Sequence, residues 1–325
     1  MTPKQKDDAP ARPLIAVVGS VNTDMVVKVP AIPRPGETVV GNEFFMAAGG
    51  KGANQAVAAA RALQSQGHGE VVFVARIGDD VFGRQAADGF KNDGINTDFV
   101  IKDKQAASGV ALIAVDVHGE NAISVASGAN ARLSPDDIEV VRPVLASASV
   151  LVIQLESPLP AIQRAAEIAF AHGARVILNP APAQPLLGGA LLSRVSILTP
   201  NETETEILTG IVIKDDKDFQ KAAAALLPIG LEAVIVTLGA RGAYVATPQE
   251  QRFIPAFEVE VVDTTAAGDT FNGALAVALA EGQDLFDAAR FANAAAALSV
   301  TRLGAQASIP RRVEIDALLL KTRST

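Results

Sequence analysis

From about residue 134 onward, short β-branched runs alternate with Ala-rich stretches of helical length. Residues 150–155, 175–179, 196–199 and 233–238 read as strands. Residues 158–172, 202–208 and 218–227, lying between them, read as helices. Strands that alternate with helices are joined by crossovers, which gives an open, mostly parallel sheet with helices on both faces. Upstream, residues 14–18 and 71–77 read as buried strands, and residues 51–66 and 81–91 as helices. Ser134 followed by Pro135 supplies a helix N-cap with Pro at the first helical position. Short strands near 243–246 and 252–257 and three helices, 267–281, 285–301 and 311–320, complete the pattern. The expected fold is a three-layer α/β domain spanning residues 13–325, preceded by a disordered polar tail at 1–12.

Two segments break the alternation, residues 25–46 and 109–126, and neither carries its own helix. Residues 25–29 read as an edge-type strand and 38–46 as a further extended segment. Residues 109–117 and 121–126, separated by His118-Gly119-Glu120, read as a hairpin. These pieces predict a small separate β-sheet, from about 24–47 and 108–127, inserted at two points as a lid.

Composition narrows the function. Lys and Arg number 28 against 36 Asp and Glu, a formal net charge of −8. That argues against general binding to nucleic acid or to an anionic membrane. Cysteine is absent, which removes disulfides, thiolate metal sites and cysteine nucleophiles. The polar N-terminus lacks an apolar signal segment, so a cytoplasmic location is expected. The three histidines, at 68, 118 and 172, have no metal-ligand spacing, and no G-x-S-x-G elbow is present.

Five segments carry possible chemistry. Around Asp263-Thr-Thr-Ala-Ala-Gly-Asp269, a strand ending near Val262 leads into a small-residue turn and then a helix. The N–H groups of Ala266, Ala267 and Gly268 at that helix start suit an anion. Asp269, in the first turn, is either a helix cap or a base toward a hydroxyl beside the anion. Gly49-Gly50-Lys51-Gly52-Ala-Asn54-Gln55-Ala56 permits a tight turn and offers Lys51 and Asn54 on a helix opening. It is either a polar helix cap or a ligand site, and it is not a Walker A loop. Asn201-Glu-Thr-Glu204 reads as an N-cap, or as a holder of hydrated Mg²⁺ near phosphates. Gly19-Ser-Val-Asn22-Thr-Asp24 lacks the glycines of a dinucleotide turn, and its Asn22 and Asp24 suit hydroxyls. The fifth segment, Thr237-Leu-Gly239-Ala-Arg-Gly242, is a glycine-bearing strand-end loop that could lie under a nucleotide.

The first two segments resemble the two signature segments of the ribokinase (PfkB-type) family of sugar kinases. The resemblance runs in order from about residue 13 to 320, taking in Gln154-Leu-Glu-Ser-Pro158, Asn179-Pro-Ala-Pro182, Thr199-Pro-Asn-Glu-Thr-Glu204 and Gly304-Ala-Gln. It implies ATP-dependent phosphorylation of D-ribose at its 5-hydroxyl, or of another sugar or nucleoside such as 2-deoxyribose, fructose or adenosine. A non-catalytic sugar-binding regulator is the remaining alternative, disfavoured by the intact Asp269 and its glycine-rich turn. The resemblance makes Asp269 the base and the amides of Ala266 to Asp269 the anion hole. It gives Asn22, Asp24, Gly50, Lys51, Asn54 and Glu156 to the sugar. Asn201, Glu204, Thr237, Gly239, Gly242, Gly268 and Asn293 fall to ATP, with Glu204 organising Mg²⁺ through water. It implies a monovalent cation, usually K⁺, at Asp263, Thr265, Ser299, Arg302, Gly304 and Ser308, and a homodimer formed through the lid.

Overall fold

A computed structural model of the chain describes residues 12–63, 69–184 and 189–322. All but the last residue of the expected N-terminal tail, and the last residues of the helix expected over 51–66, therefore lie outside the described residues.

Thirteen strands are present among the described residues: β1 Leu14–Val18, β2 Asn22–Lys28, β3 Glu43–Gly49, β4 Glu70–Gly78, β5 Val100–Asp103, β6 Gly109–Val115, β7 Asn121–Ala126, β8 Val150–Ile153, β9 Arg175–Leu178, β10 Ile197–Leu198, β11 Ala233–Thr237, β12 Ala243–Ala246 and β13 Gln251–Ile254. Nine of them form one sheet in the order β13-β12-β11-β10-β9-β8-β1-β4-β5. The pairs from β10–β11 through to β4–β5 are parallel, and β12 and β13 add an antiparallel edge.

Side-chain alternation along β1 shows why both faces are covered. Ile15 and Val17 point into one core, shared with helices Lys51–Ala62, Ala267–Ala280 and Leu285–Ser299. Ala16 and Val18 point into a second, shared with Leu159–Ala171 and Asp216–Leu226. A strand buried on both faces reads as a continuous apolar run, as this one does.

The chain leaves β1 toward β4 and β5, then returns to place β8 on β1's other side and continues through β9, β10 and β11. The ends of β1 and β8 therefore flank the point where the winding reverses, the usual crevice for a ligand in an open α/β sheet. Thr199 and Thr237 lie at the same edge, after β10 and at the end of β11.

The remaining strands form a separate four-stranded sheet, β3-β2-β6-β7. It corresponds to the lid expected from the broken alternation, but one detail is corrected. Residues 25–29 do not form an edge: β2 lies between β3, antiparallel, and β6, parallel. Its two partner strands come one from each inserted segment, a pairing that local sequence does not reveal. No strand ends near Val262 either, although the 258–262 alternation suggests one. Pro255 follows β13 and has no N–H for a ladder. The turn is instead propped by Val300, whose carbonyl accepts from the amides of Val262 and Asp263 at 2.7 and 3.1 Å. Among the described residues no helix is long and apolar enough to cross a membrane.

Candidate active site

The helix Lys51–Ala62 can approach the end of β1 only because two glycines face each other. A Cβ on Gly52 would lie 2.5 Å from the Gly19 carbonyl carbon and the Ser20 amide nitrogen. The same helix then crosses Ala267–Ala280 at Gly273, where a Cβ would lie 2.5 Å from Ala58 Cβ and from the Gln55 carbonyl oxygen. These two close approaches bring Asn54 and Gln55 against Asp269.

Asp269 is buried, at 6% exposure. One carboxylate oxygen accepts from Asn54 Nδ2 and the other from Gln55 Nε2, each at 2.9 Å. The Gln55 amide is held in turn: its Nε2 also donates to Asn179 Oδ1 at 3.1 Å, and its Oε1 accepts from Gln154 Nε2 at 2.6 Å. Burial pushes the Asp269 carboxyl above its ordinary range, against the Lys51 ammonium and the two amide donors. A carboxylate raised in this way and fixed from two sides is a base of defined aim.

The helix bearing Asp269 begins at Ala266, whose φ of 60° is left-handed, the one such non-glycine among the described residues. That geometry costs a residue with a Cβ about 1–2 kcal/mol. It turns the first-turn amides outward. Among the described residues nothing accepts from the amides of Ala266, Gly268 or Asp269, whereas that of Ala267 donates to the Thr264 carbonyl at 3.3 Å. Three unpaired N–H groups beside a buried carboxylate make an anion pocket next to a base. Thr199 joins this wall by donating to Asn272 Oδ1 at 2.6 Å, and Asn272 Nδ2 donates to the Gly268 carbonyl.

A cleft of about 220 Å³ opens on this point, lined by Lys51, Asn179, Thr199, Asn201, Glu204, Thr237 and residues 264 and 266–269. Asn201 and Glu204 are a reciprocal capping box: Asn201 Oδ1 accepts from the Glu204 amide and Glu204 Oε2 from the Asn201 amide. Both residues thus cap the helix and line the cleft. Burial raises the Glu204 carboxyl, opposed by that backbone bond and by Lys51.

On the lid side, Glu156 Oε2 accepts from Ser20 Oγ at 2.5 Å and from the Lys51 amide at 3.0 Å, tying β8 to β1 and to the helix start. Gly50, at φ 92°, makes the turn there. The Asp24 carboxyl is raised to about 6 by burial first, then by Glu156 and Asp269. Its carboxylate lies on Gly49, where a Cβ would be 2.3 Å from Asp24 Oδ2. Burial disfavours the Lys51 ammonium, but Asp269, Glu156, Glu204 and Asp24 outweigh it and its pKa is raised. One ammonium thus stands among four carboxylates.

Three residues expected on the nucleotide side do not line this cleft. Gly239 and Gly242 both have positive φ, and a Cβ on Gly242 would lie 2.1 Å from the Ile254 carbonyl oxygen. Asn293 is buried and donates to the carbonyls of Ile254 and Pro255. Gly242 and Asn293 thus fix the same stretch of chain, residues 254–256.

The residues expected around a monovalent cation lie on two adjoining loops. Asp263 Oδ1 accepts from the Thr265 amide and hydroxyl and Oδ2 from the Gly304 amide. These bonds outweigh burial and hold its carboxyl below the ordinary range. Ser299 and Ser308 are buried, with hydroxyls bonded to the carbonyls of Ala296 and Ala305. The Arg302 guanidinium turns away to pair with Glu314.

Sequence reasoning gave no site role to Gln55, Asn272 and Ser20, which the structure brings into these networks. For Gln55 and Asn272 the only signal was a polar side chain on a helix face that packing demands be apolar.

A family model described as pfkB family carbohydrate kinase matches residues 12–312. The chain belongs to this family. A ribokinase from Haemophilus influenzae is 46% identical over 93% of this pfkB-family chain and 97% of its own length. A deoxyribokinase from Salmonella typhi is 40% identical over 91% and 95% respectively. The structure of an Arabidopsis thaliana ribokinase complexed with ribose and ATP superimposes with a TM-score of 0.86 at 34% identity, covering 95% of this chain and 99% of that one. The pfkB-family assignment agrees with the doubly covered sheet, the separate lid and the carboxylate at the start of the Ala267–Ala280 helix.

Proposed function

We propose that this enzyme transfers the γ-phosphoryl group of ATP to the 5-hydroxyl of D-ribose, giving ribose 5-phosphate and ADP. The observation that carries the reading is Asp269, a buried carboxylate with raised pKa beside three unpaired amides. Asp269 takes the proton of the 5-hydroxyl as that oxygen attacks the γ-phosphorus. The bond from phosphorus to the ADP oxygen breaks, and the amides of Ala266, Gly268 and Asp269 stabilise the charge on the moving phosphoryl group. The Ala267 amide can join them if its long turn bond is released. Asn22, Asp24, Gly50, Lys51, Asn54 and Glu156 hold the sugar. Asn201, Glu204 and Thr237 face the nucleotide, and Gly239, Gly242 and Asn293 shape the loops beneath it.

Four carboxylates around Lys51 repel a polyphosphate, so this reading requires Mg²⁺ with the nucleotide, and Glu204 suits it as a partner through water. Mg²⁺ supplies neutralisation of phosphate charge. The Asp263 and Gly304 loops offer carboxylate, hydroxyl and carbonyl oxygens, a hard donor set that suits K⁺. Given the outward pairing of its guanidinium, Arg302 would contribute only its carbonyl. Rates that rise when K⁺ replaces Na⁺ or a bulky organic cation are expected, and equal rates in all three would remove the cation from this account.

The lid exposes apolar side chains on both faces. Phe44, Met46 and Leu112 alternate with Phe45 and Ile123, each at least 44% exposed. One face covers the sugar; the other suits the lid of a second copy, so the enzyme is proposed to be a cytoplasmic homodimer, to be checked by light scattering.

The deoxyribokinase relative keeps 2-deoxyribose as a second reading. A coupled ATP assay over ribose, 2-deoxyribose, fructose and adenosine separates these substrates. Ribose ranking well below any other sinks the first choice. Asp269→Ala should abolish turnover and keep measurable sugar binding; a wild type that binds sugar without turnover would instead be a regulator.

A further inference from the structure

Asn130 lies in the turn Gly128–Arg132, outside every segment so far assigned to catalysis, and is 2% exposed. Its side chain grips the backbone of Val21 from both ends: Oδ1 accepts from the Val21 amide at 2.8 Å, and Nδ2 donates to the Val21 carbonyl at 2.9 Å. An amide and a carbonyl admit only one orientation of the Asn130 carboxamide. The same Nδ2 donates to Asn22 Oδ1 at 2.8 Å. The atom of Asn22 that meets a fixed donor must be its oxygen, so the orientation of Asn22 is fixed as well. Gly109 shows how tightly this pair is enclosed, since a Cβ there would lie 2.2 Å from Asn22 Oδ1 and 2.3 Å from Asn130 Nδ2.

The Asn22 oxygen is thus consumed inside the protein. Its Nδ2 finds no acceptor among the described residues and belongs to the face of β2 that carries Asp24 two positions on. We infer that Asn130 is a specificity-determining positioning residue: it locks Asn22 as a pure donor, so that the sugar position facing Asn22 must offer an oxygen lone pair. The inference rests on the sugar-kinase reading of the cleft. Asn22 and Asp24 then divide the work, one donating and one accepting, and a hydroxyl group satisfies both where an ammonium or a hydrogen does not.

Asn130→Asp replaces the locking donor with an acceptor and turns the Asn22 amide over. The expected result is a rise in sugar KM of about tenfold, with kcat and the KM for ATP within about twofold of wild type. A role in folding alone would move all three. Asn22→Ala should raise sugar KM to a similar degree, and the double variant should be no worse than Asn22→Ala, because both act through one group. Additive losses, or an unchanged sugar KM in N130D, overturn the inference. Should N130D fail to fold, side-chain amide NMR on the wild type decides: sugar at saturation should shift the Asn22 NH₂ pair, assigned by its loss in N22A, and an unmoved pair overturns the inference. The assays use whichever of ribose and 2-deoxyribose the wild type phosphorylates. A wild type that takes neither brings down the sugar-kinase reading and this inference together, whereas an active wild type with a normal N130D brings down this inference alone.

Discussion

Asp269 and Gln55, 214 positions apart in the chain, meet at 2.9 Å across the crossing of their helices. Gln55 donates more strongly to the ionised form of Asp269 than to the neutral acid, so it lowers a pKa that burial raises. Gln55→Met keeps the bulk and removes the donor. The Asp269 pKa should then climb further. The acid limb of the kcat/KM profile should move to higher pH, and kcat near neutrality should fall about tenfold. An unmoved limb would mean that the bond does not tune the base.

Asp24 gives a pH-dependent stability with a definite sign. Its folded pKa, raised to about 6, exceeds the ordinary 3.8. Between those values the folded state keeps a proton that the unfolded chain has lost, so stability falls as pH rises through that window. Asp24→Asn removes this penalty. Its Tm should exceed wild type by about 2–4 °C above pH 6, the gain should vanish near pH 4, and sugar KM should rise. A gain independent of pH would contradict the assignment.

Gly273→Ala places a methyl group 2.5 Å from Ala58 Cβ and the Gln55 carbonyl oxygen. Neither neighbour has a flexible end to give way. A loss of about 1–3 kcal/mol in urea unfolding is expected, with activity falling as the Asn54 and Gln55 grip on Asp269 loosens. An unchanged midpoint would show that the helices separate freely.

Ala266 separates conformational strain from contact. Ala266→Val puts a β-branched side chain at a φ of 60° and should cost about 2 kcal/mol or more, whereas Ala266→Gly should stay within about 0.5 kcal/mol of wild type. Chemical denaturation of the pair checks this; equal effects would argue that the turn opens.

Most of the architecture was legible because each layer has its own period. The apolar run 14–18 marked β1 to the residue, and Ala243–Ala246 and Asn121–Ala126 likewise match their strands. Asp269, Asn54 and Glu204 were legible as polar groups at helix starts. What escaped was long-range: the central position of β2, which depends on pairing with β6, and the Val300 support of residues 262–263, which replaces an expected strand. β5 was also missed, being four residues long. Gln55 and Asn130 were invisible as site residues because their partners lie 214 and about 109 positions away. Local spacing does not encode which distant backbone a carboxamide will meet.

The helix crossing at Gly273 also governs when this site can exist. Asp269, the proposed base, sits in the last quarter of the chain, whereas the Asn54 and Gln55 amides that hold it and the strands of the separate sheet lie in the first half. During synthesis from the N-terminus the strands proposed to face the sugar and the Asn54–Gln55 grip emerge long before the carboxylate that this grip holds. On the proposed reading, a nascent chain cannot begin phosphoryl transfer before the Ala267–Ala280 helix has emerged, because the anion pocket and the base arrive together on that helix, after the surface that will receive them. Catalytic competence would then report that the chain has been made through this helix and closed on itself.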